Sequence, residues 1–570
     1  MHQDSTIMDK KLKNSLMKFA LQNGVKFDTV SAGAVISKVI GEHPKAKEHM
    51  KEISAELQKI IKEVNAMDKD DRISHLKELA PELLEEKVFV KREGLKDLPN
   101  AGNKVVLRIA PSPSGPLHIG HSYIAGLNYQ YKTQYKGKFI LRIEDTNPDN
   151  VDKDAYKMIP EDLNWMTDNG VDEIVIQSDD DRMETYYEYA LKLIEEEHAY
   201  VCTCETEVFR GKLSKMSPCD CRNLSVREHL QRWKKMFKEY DDGDAVVRFK
   251  SDVSHPNPAM RDFPLLRINT SEHPRVGLKY RVWPLMNFSV AIDDMEMGIT
   301  HAIRGKDHAD NAKRQEMIHN VLKSDTPVPI SVGRINFEGF DLSTTETKAQ
   351  IKQMKYTGWD DIRIPFLRAM KRKGYQAGAL RKFAVSMGIT ATDKTVGKEE
   401  FLKSLNFFNK EIIDPVSNRY FAIRDPAVIT VKNAPKLDFE QDLHPDKIKG
   451  GRKFSTHENF YIEREDLENI KPNELIRLMG CLNFIKKGKN FEFVSKEYGA
   501  FKDVGKKQIH WLPQDQKQII KINIKLDDNS DIEAYAEKAV EDIKKDTMIQ
   551  FERFGFCRCD SKNSFWFTHR

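Results

Sequence analysis

The stretch Ala110-Pro-Ser-Pro-Ser-Gly-Pro-Leu-His-Ile-Gly-His121 decides the fold, because it joins an apolar run directly to a helical pattern. The apolar run, residues 105–110, has the length of a buried strand, and the helical pattern continues to about Tyr135. Proline fixes φ and glycine permits unusual φ, so the residues between predict a rigid turn. His118 and His121 then start the helix, where free N–H groups and the helix dipole favour anions. The pattern predicts a phosphate site; the alternative is a tight turn with ordinary surface histidines.

Strand and helix patterns keep alternating beyond this turn. Four further short apolar runs read as strands, at residues 139–143, 174–176, 299–303 and 329–332. Strands separated by helices predict a doubly wound parallel sheet of Rossmann type. We expect residues 101–199 and 291–345 to form this sheet, with a Cys-rich and then strand-rich insert at 200–290.

The flanking regions have different patterns. Residues 1–100 predict a solvated helical region that ends in the turn cluster at 98–103. Residues 346–413 look helical, and residues 414–570 carry many short strand-like runs that predict β-barrels. The expected fold class is therefore multidomain, α/β plus β. A chain of 570 residues has room for several domains, because one domain takes about 100–200 residues.

Composition excludes some classes of protein. Apolar residues make up 39% of the chain and charged residues 32%. No apolar run approaches the roughly 18 residues that a membrane span needs, and no signal-peptide pattern begins the chain. We therefore expect a cytoplasmic protein without a membrane partner. The seven cysteines argue against a disulfide framework, and the net charge of +4 does not by itself indicate nucleic acid.

Two close cysteine pairs lie in the insert. Cys202 and Cys204 are followed by Cys219 and Cys221, a C-x-C-x14-C-x-C spacing. Four thiolates in two pairs suit a tetrahedral structural Zn²⁺ site, and four free thiols are the alternative. Cys557 and Cys559 repeat the spacing without two further partners nearby, so we do not expect them to be ligands.

Residues 351–383 form a basic run that follows the predicted sheet. The run contains nine basic and two acidic residues, a net charge of +7. Its basic residues are Lys352, Lys355, Arg363, Arg368, Lys371, Arg372, Lys373, Arg381 and Lys382. Such a field suits a phosphate backbone, and a solvated helix face is the alternative.

The quoted turn resembles a known signature. His118-Ile-Gly-His121 matches the HIGH motif of the class I aminoacyl-tRNA synthetases. The longer block from Arg108 to His121 and the run Arg142-Ile-Glu-Asp-Thr-Asn-Pro148 resemble their glutamyl/glutaminyl subgroup. Residues 280–294 and 301–308 resemble its archaeal and eukaryotic branch. The resemblance runs from about residue 85 to the C-terminus.

A second signature of that class, the KMSKS loop, has a loose counterpart at Leu342-Ser-Thr-Thr-Glu-Thr-Lys-Ala349. Lys348 aligns with its second lysine, whereas Thr345 and Ala349 replace the first lysine and the final serine. A polar loop before a helix is the alternative. The resemblance implies that His118, His121 and Lys348 are catalytic. It implies an ATP site, used with Mg²⁺, that comprises Pro113, Gly115, His118, Gly120, His121 and Lys348.

The resemblance also implies a glutamate pocket. Arg108 and Arg304 would face the side-chain carboxylate, because a planar guanidinium suits a carboxylate. Ser112 would assist, and Glu144 would hold the α-ammonium. In glutaminyl relatives the Arg304 position is uncharged, so Arg304 is the main reason to expect glutamate. Bacterial relatives place a tyrosine where Met286 aligns.

The implied reaction joins L-glutamate to tRNA(Glu) through glutamyl-adenylate, with release of diphosphate and AMP. Positioning and electrostatics would perform the catalysis, because no protein nucleophile is needed. The resemblance implies that the insert binds the acceptor end, that 346–413 contacts the stem and that 414–570 reads the anticodon. We expect a monomer. The alternatives are a glutaminyl-tRNA synthetase, a non-discriminating enzyme that also charges tRNA(Gln), a small nucleotidyltransferase and a non-catalytic RNA-binding relative.

Overall fold

The structure is a computed structural model that describes residues 10–27, 29–43, 49–83 and 94–570. The chain divides into two compact units, Met1–Glu93 and Gly94–Arg570. Within the described residues, no helix has the length and apolar character to cross a membrane.

The first unit is helical where it is described. Its helices are α1 (Lys10–Phe27), α2 (Ala32–Glu42), α3 (Met50–Ala66) and α4 (Lys69–Leu79). The buried residues of α3 are Ile53, Leu57, Ile60 and Val64, which recur at three- and four-residue spacing and so form one face. Residues 1–9, 44–48 and 84–93 of the predicted helical region lie outside the described residues.

The second unit begins with the predicted strand–turn–helix. Its first half contains β1 (Val106–Ile109), α5 (Ile119–Tyr135), β2 (Lys138–Ile143), α6 (Ala155–Met166), β3 (Glu173–Ile176) and α7 (Asp180–Glu195). β1 pairs with β2, and β2 with β3, all in parallel. β1 is buried along its whole length, which explains why its sequence is a continuous apolar run broken only by Arg108.

The insert forms its own antiparallel sheet. Its elements are β4 (Ala199–Cys202), α8 (Thr206–Ser214), α9 (Val226–Met236), β5 (Val246–Phe249), β6 (Pro264–Ile268), β7 (Val282–Pro284) and α10 (Met286–Glu296). The strand order is β4-β5-β6-β7. α10 leads the chain back to the parallel sheet.

The parallel sheet resumes with β8 (His301–Gly305), α11 (Ala309–Leu322), β9 (Val328–Val332), β10 (Ile335–Glu338) and α12 (Thr344–Lys352). β8 pairs with β9 in parallel, and Thr300 N–H donates to Val106 O at 3.0 Å beside β1. The strands therefore follow the spatial order β3-β2-β1-β8-β9, in a three-stranded and a two-stranded parallel sheet that meet beside β1. This order agrees with the predicted Rossmann-type arrangement. Strand order reverses between β1 and β8, and ligands of such sheets bind where these strands end.

A helical segment follows and packs on α5. It contains α13 (Leu367–Lys373), α14 (Ala377–Met387), β11 (Lys394–Gly397) and α15 (Lys398–Ile413). A Cβ added to Gly126 of α5 would lie 2.8 Å from the Ala384 Cβ of α14. The two helices therefore approach too closely at this point for any larger residue.

The C-terminal part is built from strands. Its elements are β12 (Asn418–Tyr420), β13 (Ala422–Ile423), β14 (Pro426–Lys432), β15 (Leu437–His444), β16 (Lys447–Thr456), β17 (Asn459–Glu463), α16 (Arg464–Asn469), β18 (Leu475–Leu478), β19 (Asn483–Lys487), β20 (Asn490–Ser495), α17 (Gly499–Lys502), β21 (Lys507–Ile509), β22 (Leu512–Pro513), β23 (Ile519–Lys525), β24 (Asp531–Glu537), β25 (Met548–Phe551), β26 (Gly555–Ser561) and β27 (Ser564–His569).

These strands correct the predicted barrels. They form two seven-stranded sheets, β12-β25-β26-β27-β23-β24-β13 and β21-β18-β19-β20-β14-β17-β22, together with a β15-β16 hairpin. Each order has two ends, so neither sheet closes on itself among the described residues. Closure requires pairing between the first and last strands, and local alternation of side chains does not specify that pairing.

The Gly126 contact predicts an unusual helix substitution. Alanine normally stabilises a helix interior by about 0.5–1 kcal/mol relative to glycine. We expect Gly126→Ala instead to lower the midpoint of thermal unfolding, because its Cβ would meet Ala384. Gly211→Ala in α8 is the matched control, since nothing lies within 4 Å of the added atom. An equal or raised midpoint for Gly126→Ala would contradict this packing.

Candidate active site

His118 is the N-terminal cap of α5, and two hydrogen bonds fix the histidine rings there. His118 Nδ1 accepts from Gly120 N–H at 3.0 Å, and His118 N–H donates to His121 Nδ1 at 3.1 Å. A backbone N–H is only a donor, so both Nδ1 atoms are acceptors. Each neutral ring therefore carries its proton on Nε2, which is left as a hydrogen-bond donor.

The electrostatics keep both rings neutral. Burial, and then the neighbouring His121, lowers the pKa of His118 from 6.5 to about 2. Burial lowers the pKa of His121 to about 4. The ring centroids lie 3.9 Å apart, so a charge on one ring would oppose a charge on the other. Near pH 7 the site offers two dipolar N–H donors and no imidazolium.

Asp162 holds the turn that precedes α5. One of its carboxylate oxygens accepts from Leu117 N–H at 3.0 Å, and the other lies 3.0 Å from Arg368 Nε. Burial raises the pKa of Asp162 to about 7, against the opposing effect of Arg368. Sequence reasoning missed Asp162; its one signal was an acidic residue on the buried face of α6.

Gly115 allows the KMSKS-like segment to approach the turn. A Cβ at Gly115 would lie 2.3 Å from Thr344 Cγ2, a contact that no larger residue could make without a shift. The segment itself is helical rather than a loop. Ser343 caps α12 and accepts from Glu346 N–H at 3.2 Å, because serine three residues before glutamate favours a helix start.

Lys348 lies in α12 and binds a carboxylate instead of lining the pocket. Its Nζ is 2.5 Å from Asp152 Oδ2, and Asp152 N–H donates to Pro113 O at 2.7 Å. Lys348 is thus linked to the turn through Asp152. Of the three predicted catalytic residues, the structure brings His118 and His121 together and places Lys348 on a separate element, which Asp152 links to the turn.

A cavity of about 320 Å³ opens beside His121 at the ends of β1 and β8. All four predicted substrate-binding residues line it. The residues around it are Arg108, Ile109, Ala110, Pro111, Ser112, His121, Ile124, Glu144, Met286, Val290, Ile303, Arg304, Gly305 and His308. Sequence reasoning gave no role to His308, which lies three residues after the end of β8.

Arg304 is the cation in this cavity that lacks an acidic partner. Its Nη1 donates to the neutral Gln315 Oε1 at 2.8 Å, and no carboxylate lies within 4.0 Å of it among the described residues. Burial and the nearby Arg108 lower the pKa of Arg304 to about 10, so it stays protonated near pH 7. Arg108 is buried and reaches Asp294 at 3.5 Å.

A buried charge cluster lies beneath the cavity. Arg142 donates to Asp294 at 2.6 Å and to Glu144 at 3.1 Å, and its Nε is 3.6 Å from Asp293 Oδ2. Burial raises the pKa of Glu144, and Arg142 then Arg108 oppose that rise. Burial also acts against ionisation of Asp294, but Arg142 and Arg108 prevail and its pKa is lowered.

Asp293 connects this cluster to α7. Its carboxylate accepts from Tyr186 at 2.8 Å, from Gln177 at 2.7 Å and from Arg182. Sequence reasoning quoted Arg142, Asp293 and Asp294 without giving them roles. Two acidic residues in the otherwise apolar stretch of α10 were the available signal.

The four insert cysteines lie together. Their sulfur atoms are all within 4.8 Å of one another, with Cys202–Cys219 at 3.8 Å and Cys204–Cys221 at 3.7 Å. A tetrahedron with Zn–S bonds of about 2.3 Å has edges of about 3.8 Å, so the arrangement fits that ion. Arg232 Nη1 donates to Cys221 Sγ at 3.1 Å, a contact that favours the thiolate.

The second cysteine pair does not resemble a metal site. Cys557 and Cys559 lie on β26, and both side chains are buried in the apolar core of the C-terminal sheet. Burial raises the pKa of the Cys557 thiol. No cluster of metal-ligating side chains includes them among the residues that the structure describes.

The basic run carries less unpaired positive charge than its sequence suggests. Six of its nine cations form ion pairs: Arg363–Asp361, Arg368–Glu161, Arg372–Asp360, Lys373–Asp527, Arg381–Asp168 and Lys382–Glu411. In the described ranges, Lys352, Lys355 and Lys371 have no carboxylate within 4.0 Å. The net charge of +7 therefore overstates the local field, because most of the neutralising acids lie outside the run.

A parallel sheet whose first helix begins at His-x-x-His, beside a pocket for an anionic ligand, is typical of the class I aminoacyl-tRNA synthetases. The family model described as tRNA synthetases class I (E and Q), catalytic domain, matches residues 104–415. Two models of the anti-codon binding domain of the same synthetases match residues 417–498 and 508–560.

Curated relatives agree with these matches. The glutamate–tRNA ligase of Methanothermobacter marburgensis is 40% identical over 98% of this chain and 100% of the relative. That of Pyrococcus abyssi is 39% identical over 95% of this chain and 96% of the relative. A solved glutamate tRNA ligase of Elizabethkingia meningosepticum, in complex with its amino acid, overlaps 55% of this chain and 70% of its own, with a TM-score of 0.41 and 20% identity. The chain belongs to the class I tRNA synthetases (E and Q).

The hydrogen-bond geometry predicts that neither signature histidine titrates near neutrality. Because the folded pKa values are about 4 or lower, the NMR signals of both rings should stay constant from pH 5.5 to 8. As pH falls below 6.5 the unfolded chain takes up these protons first, so the two residues reduce the free energy of unfolding there. The variants His118→Gln and His121→Gln identify which NMR signals belong to these rings. A titration midpoint near pH 6.5 for either ring would contradict the prediction that both stay neutral.

Proposed function

We propose that this chain joins L-glutamate to tRNA(Glu) in an ATP-dependent reaction that passes through glutamyl-adenylate. The family, the names of relatives about 40% identical over nearly the whole chain and the chemistry of the cavity all support this activity. The observation that carries the choice of amino acid is the cation Arg304, which faces the cavity without an acidic partner among the described residues.

The charge of the cavity favours glutamate over glutamine. Counted as ionised, the cluster has four guanidinium groups (Arg108, Arg142, Arg182 and Arg304) and three carboxylates (Glu144, Asp293 and Asp294). The net charge of +1 is neutralised by glutamate, which carries −1. Glutamine is neutral overall and would leave the half-buried guanidinium of Arg304 unpaired, at a cost of about 1–3 kcal/mol.

The start of α5 would stabilise the charge that develops on the α-phosphate. As the glutamate carboxylate attacks that phosphorus, His118 and His121 donate from Nε2, and the α5 N-terminus adds its dipole. Pro113, Gly115 and Gly120 shape the turn against the nucleotide. Mg²⁺ bound to ATP would supply further neutralisation of the phosphate charge. Lys348 would exchange Asp152 for the phosphates.

The remaining parts would bind tRNA. We assign the acceptor end to the insert at 200–290, the stem to 346–413 and the anticodon to 414–570. Lys352, Lys355 and Lys371 are the cations of the basic run with the most free charge, so they are its best phosphate contacts. The four insert cysteines would hold one structural Zn²⁺, with the sulfur spacing as support.

Replacing the unpaired cation tests the choice of amino acid. We expect Arg304→Gln to raise the KM for glutamate about 10- to 100-fold, because a charged hydrogen bond contributes about 1.5–3 kcal/mol. The KM for ATP should change little. The measurement is ATP–pyrophosphate exchange with tRNA(Glu) present. Lys323→Gln removes an exposed charge at the C-terminal end of α11, away from the residues that line either cavity, and is the control.

The same assay separates the alternatives. If the unaltered enzyme catalyses ATP–pyrophosphate exchange in the presence of glutamine but not of glutamate, the proposal is contradicted and a glutaminyl-tRNA synthetase is favoured. Charging of both tRNA(Glu) and tRNA(Gln) with glutamate would instead indicate a non-discriminating enzyme.

Metal analysis tests the cysteine site. We expect about one Zn²⁺ per chain by mass spectrometry of the purified enzyme, since four thiolates satisfy a structural site. Cys202→Ser should lower that content, whereas Cys481→Ser, a buried cysteine outside the cluster, should retain it. Zinc absent from the unaltered enzyme, or unaffected by Cys202→Ser, would count against the site.

A further inference from the structure

The side chain that holds Arg304 is a neutral amide on a separate element. Gln315 lies on α11, is 3% exposed and accepts from Arg304 Nη1 at 2.8 Å through Oε1. An arginine is only a donor, so the amide must present its oxygen to Arg304. The orientation of this amide is therefore set by the guanidinium group.

The other end of the same amide has no partner. Gln315 Nε2 is buried without a hydrogen bond among the described residues. The contact with Arg304 is therefore the one hydrogen bond to a protein group that this amide makes among the described residues, and an apolar residue such as methionine would fill similar space. Packing alone therefore gives no reason for glutamine at this position, and its contact with Arg304 does.

Arg304 needs such a contact because it lies between two cavities. It lines the cavity beside His121, and it also lines a second one of about 240 Å³ that Asp294, Gln315 and His319 help to form. Space on both sides would let an untethered guanidinium turn away from the substrate. Asp294 is not an alternative tether, since its carboxylate already binds Arg142 and Arg108.

The neutrality of Gln315 is as important as its position. A glutamate here would pair with Arg304 and bring the net charge of the buried cluster from +1 to zero. The side-chain carboxylate of a substrate would then have to compete with an internal carboxylate. An amide oxygen holds the guanidinium by a hydrogen bond and leaves its charge for the ligand.

We propose that Gln315 is a positioning residue for amino-acid specificity, which directs Arg304 into the cavity without neutralising it. This inference rests on the proposed function, because it assumes that the ligand of Arg304 is the side-chain carboxylate of glutamate. Gln315 itself does not touch the substrate and acts only through Arg304.

Two substitutions separate charge from position. Gln315→Glu keeps the shape and tether but cancels the charge, and we expect it to raise the KM for glutamate about 10- to 100-fold. Gln315→Met removes the tether alone, and we expect a smaller rise of about 3- to 10-fold. In both variants the KM for ATP and the kcat of exchange should change much less than the KM for glutamate.

The matched control is Asn320→Asp, which adds the same charge at an exposed position of α11. ATP–pyrophosphate exchange with tRNA(Glu) is measured for glutamate and glutamine, and thermal unfolding checks each variant. A glutamate KM within about twofold of wild type for Gln315→Glu overturns the proposal. Equal changes in the KM for ATP, or the same effect from Asn320→Asp, overturn it too. If the unaltered enzyme activates glutamine and not glutamate, the proposed function itself is wrong, whatever the Gln315 variants do.

Discussion

The buried charge cluster beneath the cavity is the constraint on which the active site depends. Arg142 has no exposed surface and joins Glu144 at the end of β2 to Asp293 and Asp294 on α10. Removal of one partner from a buried ion pair leaves an uncompensated charge and costs about 3–5 kcal/mol. The cluster therefore fixes where α10 returns from the insert to the parallel sheet. Counted with Arg304, which lines the cavity, it also leaves a surplus positive charge.

In the proposed reaction, adenylate chemistry and amino-acid choice would be carried by different elements. The start of α5 supplies neutral N–H donors, whose tautomers are fixed by backbone hydrogen bonds. These donors suit any phosphate and do not distinguish one amino-acid side chain from another. Arg304 lies on β8, 186 positions after His118, and Gln315 holds it from α11. The parallel order that places β8 beside β1 brings the two functions together.

Local patterns predicted much of this arrangement and missed what depends on distant contacts. The apolar run before Pro111 and the turn after it were sufficient for β1 and α5. The alternation of further apolar runs with helical patterns was needed for the Rossmann-type order. Arg108, Ser112, Glu144 and Arg304, predicted from resemblance, lie around one cavity; their roles as ligands remain predictions. Asp162 carries only the signal of an acidic residue on a buried helix face, and Gln315 carries none, because their partners Leu117 and Arg304 lie 45 and 11 positions away. Asp168 and Asp527 likewise neutralise Arg381 and Lys373 of the basic run from outside it.

The central claim is that Arg304 receives the side-chain carboxylate of glutamate while Gln315 holds it. A crystal structure with a non-hydrolysable glutamyl-adenylate analogue measures this directly. The account predicts the side-chain carboxylate within hydrogen-bonding distance of Arg304, with the Gln315 contact retained. A carboxylate bound elsewhere, with Arg304 turned into the second cavity, would contradict it.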